Sequence, residues 1–195
     1  MKDSIYKNEF QRVFLLQNLP EPLTRASEHL QFFDNFIENT RLCLRTIRAP
    51  QTKEWTWILE QRFPINDNDL SGWNISEIYL NEAEHQAFEQ FEGREIQKNE
   101  RVESNELRFN RYFYDYSGKQ IEIDVFLNPL WGLCLATVTF ENVEEMQKFE
   151  KPDFAVSETT QNKFFIGANL VGKTFADVQK QVESGESGVE SESSN

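Results

Sequence analysis

The segment KNEFQRVFLL, residues 7–16, has the residue pattern of a β-strand near the start of the chain. Alternate side chains of an extended strand point to opposite faces, so Glu9, Gln11 and Val13 share one face. The phenylalanines between them share the other face. A carboxylate, an amide and a branched alkyl group form an unusual set for one face, and this set raises the question of whether the strand serves a chemical site.

The length and composition of the chain predict a folded globular protein. A chain of 195 residues is long enough for one domain with a sizeable core, and two smaller domains would also fit. Apolar residues make up 38% of the chain, including 17 Phe. The sequence has no apolar run as long as a membrane span and no basic-then-apolar signal segment near Met1. We therefore expect a cytoplasmic protein that does not bind membranes.

The formal charge of −13 is concentrated partly at the C-terminal end. The stretch ESGESGVESESSN, residues 183–195, is acidic and has no apolar side chain larger than Val, so it predicts a disordered tail. Residues 1–182 then form the folded domain. Because the rest of the chain is also acidic, general binding to nucleic acid is disfavoured, although a local basic cavity is compatible with this charge.

The cysteines and histidines give no catalytic or metal-binding signal. Cys43 and Cys134 do not have the spacing of a zinc site or a disulfide framework. His29 and His85 are isolated in sequence, which favours surface or boundary positions. Nucleophilic catalysis, which needs a base beside its nucleophile, is therefore not supported.

Most of the chain consists of strand patterns joined by short turns. Residues 106–127, ELRFNRYFYDYSGKQIEIDVFL, predict a hairpin with its turn at DYSGKQ. The pattern of 81–93 predicts a helix with Asn81 as its N-cap and Gly93 at its end. Strands in this number, with a few helices between them, predict a closed or strongly curved antiparallel sheet.

The composition of three further segments predicts their local structure. Residues 25–33, RASEHLQFF, predict a short helix. Residues 65–74 predict a loop because they are rich in Asn, Asp and Gly. Residues 94–106 are polar and charged, which predicts an extended loop.

The segment TRLCLR places Arg41, Cys43 and Arg45 on one strand face. Two guanidinium groups on neighbouring positions of one face repel each other unless an anion or carboxylates lie between them. They suit polyphosphate because each can bond to two phosphate oxygens. Arg62 and Arg111 also lie on predicted strands, so four arginines converge if the sheet closes into a barrel. The alternative is that they face solvent.

With these arginines placed, the sequence resembles the CYTH, or triphosphate tunnel metalloenzyme, family from about residue 7 to about residue 180. The resemblance rests on the order and spacing of several blocks: EFQRVFLLQNLP, FFDNFIENTRLCLR, WILEQRFP, SEIYLNEAEH, NRYFY, DVFLNPLWGLCLATVTFE and PDFAVSETT. It implies an α+β fold in which eight antiparallel strands close into a tunnel with flanking helices. Family members hold a triphosphate with basic residues and Mg²⁺ or Mn²⁺ with acidic ones. They hydrolyse inorganic or organic triphosphates or cyclise adenylate.

Several family positions keep their charged residue. The resemblance implies phosphate or anion binding by Arg41, Arg45, Arg62 and Arg111. It implies metal binding, if this is retained, by Glu9, Asp124 and Glu158. A register shift would instead bring Glu77 or Glu122 into the tunnel.

Other family positions carry a different residue here. The resemblance implies that Gln11, Thr137 and Thr139 replace acidic residues, that Val13, Cys43, Ile58 and Phe109 replace basic ones, and that Glu60 replaces a threonine. Acidic and basic residues have disappeared together, which leaves a more neutral interior that costs less to desolvate. An intact metal-dependent phosphoryl-transfer site would keep both sets.

This pattern predicts a catalytically impaired tunnel that keeps at most anion binding or a protein-interaction role. The anion would be polyphosphate or nucleotide-like, or Glu60 would pair one arginine internally. The alternative is an active Mg²⁺- or Mn²⁺-dependent triphosphatase with a substituted site, or weak activity with one metal on the retained acids. A third alternative is a structural or regulatory barrel whose protein partner binds outside the tunnel.

Overall fold

The computed structural model describes residues 6–93, 95–98 and 101–187. Its strands are β1 (Lys7–Leu16), β2 (Leu30–Phe36), β3 (Leu42–Ala49), β4 (Glu54–Asn66), β5 (Asp69–Leu80), β6 (Glu95–Lys98), β7 (Arg101–Ser104), β8 (Glu106–Tyr116), β9 (Lys119–Phe126), β10 (Cys134–Phe140) and β11 (Ala155–Glu158). Its helices are α1 (Glu82–Gln86), α2 (Val143–Lys148), α3 (Gly167–Leu170) and α4 (Phe175–Ser187).

Eight of these strands close into an antiparallel barrel. Around the ring the order is β1, β5, β4, β3, β2, β8, β9 and β10, and β10 pairs again with β1. This confirms the closed eight-stranded barrel with flanking helices. The short β11 pairs with the second half of β1, after β5 has paired with the first half. Strands β6 and β7 form a separate hairpin.

Apolar side chains on the outer face of the barrel form one core. Phe14, Ile121 and Val138 are fully buried there, against covering residues that include Phe149 and Phe154. Burial of one such side chain contributes roughly 1.5–3 kcal/mol, so this face fixes the alternation of the strands around it. The opposite, interior faces of the same strands are thereby directed into the barrel.

A second core fills part of the barrel interior and closes it at one end. The strand residues Leu107, Phe109 and Leu135 pack in one cluster with Leu170 of α3 and Val178 of α4. The C-terminal helices therefore bury an apolar layer of the interior rather than an outer surface of the sheet.

Two local predictions were wrong because pairing with neighbouring strands outweighed the local helix and loop signals. Residues 25–33 form turns that lead into β2, in which Phe32 and Asp34 are buried on one face. Residues 65–74 form most of a hairpin between β4 and β5 rather than a loop. Its tight turn is supported by the amide of Asn68, which donates to the Asn66 side chain at 3.0 Å.

The helix predicted at 81–93 is present but short. Asn81 is its N-cap and forms a capping box with Glu84, as the sequence indicates. Helix α1 ends at Gln86, and a 3₁₀ turn leads to Gly93, whose φ of +54° suits glycine. His85 holds α1 against the sheet. Its ring stacks on that of Trp57 with centroids 4.9 Å apart, and its Nε2 lies 2.9 Å from the Glu92 carboxylate.

Two further predictions extend beyond what the structure describes. The loop predicted at 94–106 contains β6 and β7, whereas residues 94 and 99–100 lie outside the described part. Helix α4 continues to Ser187, past the predicted start of the tail at 183. Residues 188–195 of that tail lie outside the described residues. Every helix in the described part of the chain is too short or too polar to span a bilayer.

Candidate binding site in the barrel tunnel

The interior of the barrel contains a cavity of about 1120 Å³. Most residues singled out by the sequence line it, which confirms that their strand faces converge. They are Glu9, Gln11, Val13, Arg41, Cys43, Arg45, Glu60, Arg62, Phe109, Arg111, Asp124, Thr137 and Thr139. Glu77 and Glu122, the residues considered for a shifted register, also line the cavity in the unshifted one.

Two of the predicted positions lie elsewhere. Ile58 is buried opposite Arg45 on β4 but does not line the cavity. Glu158 lies outside the tunnel, where its carboxylate accepts hydrogen bonds from Arg12 and from Thr160. The retained acid Glu158 is therefore not brought together with Glu9 and Asp124, because β11 pairs with β1 in a register that turns Glu158 toward the outer-face Arg12.

Arg45 is enclosed by two carboxylates. Its Nε and Nη2 donate to the two carboxylate oxygens of Asp34, each at 2.7 Å, and its Nη1 donates to Glu60 at 3.0 Å. Burial alone would lower the pKa of Arg45, but Asp34 and Glu60 raise it well above its ordinary value. The guanidinium therefore stays charged, and its hydrogen-bonding edges face carboxylates.

Arg111 has the same arrangement on the neighbouring strands. Its Nε and Nη2 donate to both oxygens of Asp124 at 2.7 Å, and its Nη1 lies 2.6 Å from Glu122. Burial disfavours the charge, but Asp124 and Glu122 raise the pKa of Arg111. The guanidinium carbons of Arg45 and Arg111 lie 5.5 and 4.6 Å from the centroid of Phe32. The ion-pair groups of Arg45 and Arg111, which we call the deep arginines, are therefore adjacent.

The carboxylate partners of the deep arginines were only partly visible in the sequence. Pairing of one arginine by Glu60 was one of the alternatives, and it is confirmed. Asp34 was missed because residues up to 33 were assigned to a helix. The signal that would have revealed it is the alternation of Phe32, Asp34 and Phe36 along β2.

The arginines at the mouth of the cavity have fewer partners. Arg62 uses one terminal nitrogen, Nη2, to bond Gln11 at 2.6 Å and Glu9 at 3.2 Å. Arg41 is exposed, and among the described residues no carboxylate lies within ion-pairing distance of it. The guanidinium carbons of these arginines lie 4.2 Å (Arg41) and 5.0 Å (Arg62) from the rings of Phe63 and Trp73.

Arg41 and Arg62 are cross-strand neighbours. The amide of Arg62 donates to the carbonyl of Arg41 at 3.4 Å, and the pairing of Leu42 with Gln61 sets this register. Like charges directly opposite each other on adjacent strands are destabilising. An anion between the two guanidinium groups would relieve this repulsion.

The residues that the family uses for a divalent metal do not fit one in this arrangement. Both oxygens of Asp124 bond Arg111, Glu9 pairs with Arg62, and Glu158 lies outside. Gln11, Thr137 and Thr139 contribute neutral oxygens where the family has carboxylates. Among the described residues, no group of three or more His, Cys, Asp or Glu side chains is placed to hold a metal ion.

Cys43 and Cys134 occupy opposite faces of the sheet, as their phase in the strands predicts. Cys43 lines the cavity, whereas Cys134 belongs to the outer core. Both are buried free thiols. Burial raises the pKa of Cys43 well above its ordinary value, and Asp34 raises it further, so this side chain acts as a neutral, nearly apolar part of the wall.

The closed eight-stranded barrel with a charged interior is the CYTH tunnel fold. A crystal structure of the inorganic triphosphatase NE1496 is similar to the chain with a TM-score of 0.52 and 21% sequence identity, over 85% of this chain and 95% of that one. A second crystal structure, of the hypothetical protein NE1496, gives a TM-score of 0.53 at 21% identity, over 85% and 99%.

A structure of the putative adenylyl cyclase HpAC1 from Hippeastrum is more distant. It gives a TM-score of 0.42 at 14% identity, over 71% of this chain and 82% of that one. No family model and no curated protein matches the sequence. At these identities the structural likeness establishes the fold alone.

Proposed function

We propose that this protein is a catalytically impaired tunnel barrel that binds a phosphate-bearing anion at the mouth of its cavity. The observation that carries the proposal is the unequal pairing of the tunnel arginines. Arg45 and Arg111 are each bonded to two carboxylates, whereas Arg41 has no carboxylate within ion-pairing distance among the described residues. A phosphate group would bind where cationic charge is least compensated.

The geometry of the mouth supports binding of a single phosphate group. Arg41 and Arg62 face each other across β3 and β4, so one phosphate can accept hydrogen bonds from both guanidinium groups. Lys163 lines the same cavity and adds positive charge, whereas Lys7, which also lines it, lies 3.8 Å from the Glu9 carboxylate. A triphosphate chain would also need Arg45 and Arg111, whose carboxylate partners oppose it.

The loss of the metal ligands supports catalytic impairment. Hydrolysis of a triphosphate by this fold would require a divalent cation held by carboxylates beside the phosphates. Glu9 and Asp124 are bonded to arginines instead, so a metal would have to break two ion pairs to bind. Each such break leaves a guanidinium without its partner.

Phosphate binding by full-length protein can be measured by isothermal titration calorimetry at low salt. We expect saturable binding of inorganic phosphate and at least a tenfold weaker affinity in Arg41→Gln. The matched control is Arg48→Gln, which removes an arginine from the outer face of the same strand, where it bonds Gln31 at 3.2 Å. An equal loss of phosphate affinity in Arg41→Gln and Arg48→Gln would contradict the proposed anion site. Absence of phosphate binding by the unmodified protein would also contradict it.

Hydrolysis is tested by phosphate release from tripolyphosphate and ATP with Mg²⁺ or Mn²⁺ present. We expect rates far below the ~1 s⁻¹ that marks the lower range of ordinary enzymes. A rate at or above that value, lost in Arg45→Gln, would instead establish an active triphosphatase with a substituted site.

A further inference from the structure

One wall of the cavity behind the mouth is apolar, beside the ion pairs of Arg45 and Arg111, and an inorganic anion does not require such a wall. Phe36 and Cys43 form the row next to Arg41 and Arg62, since the two residues are paired across β2 and β3. Leu107 and Phe109 of β8 continue this wall, and both are almost completely buried. A ligand whose charged group lies at the mouth could therefore place an apolar part against carbon and sulfur, next to the Glu60 carboxylate that pairs with Arg45.

Two of the substituted positions contribute to this wall. Cys43 and Phe109 stand where the family has basic residues, and Val13, a third such position, lies on the other side of the cavity. Each replacement removes a cation and adds apolar surface. The change therefore alters the chemistry that the cavity can accept, in addition to weakening its hold on a long polyphosphate.

The remaining buried charges do not oppose an apolar ligand. Asp34 and Glu60 are 4% and 5% exposed, and both already bond Arg45. Because these groups have exchanged water for one another, covering them with a ligand removes little further hydration. The cavity volume of about 1120 Å³ is also far larger than a phosphate needs and falls near the range of sites for organic ligands, about 300–1,000 Å³.

We infer that the tunnel binds an amphiphilic organic anion with one phosphate headgroup and an apolar body, rather than a polyphosphate chain. This inference rests on the proposed function, because Arg41 and Arg62 hold the headgroup in both. The apolar body lies along Phe36, Cys43, Leu107 and Phe109. Selectivity follows from Arg41, which has no carboxylate within ion-pairing distance among the described residues, from the neighbouring Arg62, and from the apolar wall behind them.

The test compares three probes on the full chain by calorimetry: inorganic phosphate, 1-naphthyl phosphate and tripolyphosphate. We expect 1-naphthyl phosphate to bind at least tenfold more tightly than inorganic phosphate. Tripolyphosphate should exceed the affinity of inorganic phosphate by a smaller factor than 1-naphthyl phosphate does, despite its greater charge. Arg41→Gln should weaken the two monophosphates in parallel, whereas Arg48→Gln should leave them unchanged.

The failures of the two proposals differ. If phosphate binds through Arg41 but the naphthyl group adds no affinity, the proposed anion site stands and the inference is overturned. If tripolyphosphate binds most tightly, the cavity has kept the family's preference and the inference is also overturned. Absence of phosphate binding would overturn the anion site itself.

A substitution on the wall provides an independent check. Cys43→Arg restores the family's base beside Arg41, and it should raise the affinity for tripolyphosphate and lower that for 1-naphthyl phosphate. If this variant does not fold, nuclear Overhauser effects in the unmodified protein replace it. Contacts between naphthyl protons and the side chains of Leu107 and Phe109 are expected, and contacts only with surface residues outside the cavity would contradict the inference.

Discussion

Arg41, just before β3, and Arg45, within β3, lie four positions apart and line the same cavity, but their surroundings differ. Arg45 is bonded to two buried carboxylates and keeps its charge only because of them. Arg41 is exposed and rests on the ring of Phe63. The comparison shows that a retained basic residue is not by itself a retained binding residue. Its function depends on whether a neighbouring carboxylate already occupies its hydrogen-bonding edge.

The largest effect is expected from removing the deep arginine. Arg45→Met leaves Asp34 and Glu60 buried without a cation, and breaking a buried pair in this way costs about 3–5 kcal/mol. Urea unfolding monitored by tryptophan fluorescence measures the change in the free energy of unfolding. The matched change at the mouth, Arg41→Met, should alter stability by less than about 0.5 kcal/mol because that side chain is exposed.

A compensated variant separates charge from packing. Replacing the whole group, with Asp34→Leu and Glu60→Leu added to Arg45→Met, should recover most of the lost stability because no buried charge is left unpaired. If Arg45→Met alone is as stable as the unmodified protein, the distinction between deep and mouth arginines fails.

A smaller effect is expected from making the mouth resemble the deep region. Gln11→Glu would give Arg62 a second carboxylate in place of the amide that it now bonds at 2.6 Å. Phosphate affinity should fall about tenfold, or about 1.4 kcal/mol, because the added carboxylate competes for the guanidinium. Calorimetry with inorganic phosphate at pH 7 measures this.

The control for this change makes the same substitution on the outside. Gln31→Glu places a new carboxylate beside Arg48, which bonds the Gln31 side chain outside the cavity. It should leave phosphate affinity nearly unchanged. An equal decrease in both variants would mean that the effect comes from net charge alone.

The smallest effect concerns the acid that the fold places outside the tunnel. Burial opposes ionisation of Glu158, but hydrogen bonds from Arg12 and Thr160 outweigh it and lower the pKa of Glu158. A lowered folded-state pKa contributes stability above the unfolded value, about 4.3, and this contribution is lost as pH falls through the folded value. Glu158→Gln should therefore cost less than about 1 kcal/mol at pH 7, since the side chain is exposed and solvent screens its ion pair.

The pH dependence of that cost is the decisive measurement. The difference in urea midpoint between Glu158→Gln and the unmodified protein should be present at pH 7 and shrink as pH falls below the unfolded value of about 4.3 and through the lowered folded pKa. A difference that stays constant over this range would mean that Glu158 acts through packing rather than through its charge.

The sequence predicted the barrel well because alternation and turn chemistry are local. The face of β1 that holds Glu9, Gln11 and Val13 lines the cavity, and the hairpin of β8 and β9 turns where DYSGKQ indicates. The helix predicted at 25–33 failed because the buried alternation of β2 is stabilised by its neighbours β3 and β8, which no local pattern contains.

The site was predicted as a set of residues but not as a set of bonds. Strand alternation left open whether Arg41, Arg45, Arg62 and Arg111 share a cavity, and the resemblance to the CYTH family predicted that they do. Which of them keeps an open edge depends on long-range register, such as the pairing of Asp34 with Arg45 across β2 and β3. The outward position of Glu158 likewise follows from the pairing of β11 with β1, far apart in sequence.

The way in which β1 is shared among three partners has a consequence for how the protein is made. This first strand pairs with β5 over its first half, with β11 over its second half, and with β10 along its other edge. During synthesis its second half has no strand partner on either edge until the last third of the chain has left the ribosome. Barrel closure is therefore a late, non-local step, and such steps are slow. A nascent chain stopped before Cys134 would leave this part of β1 without a strand partner, and an unpaired apolar strand edge is a site of aggregation.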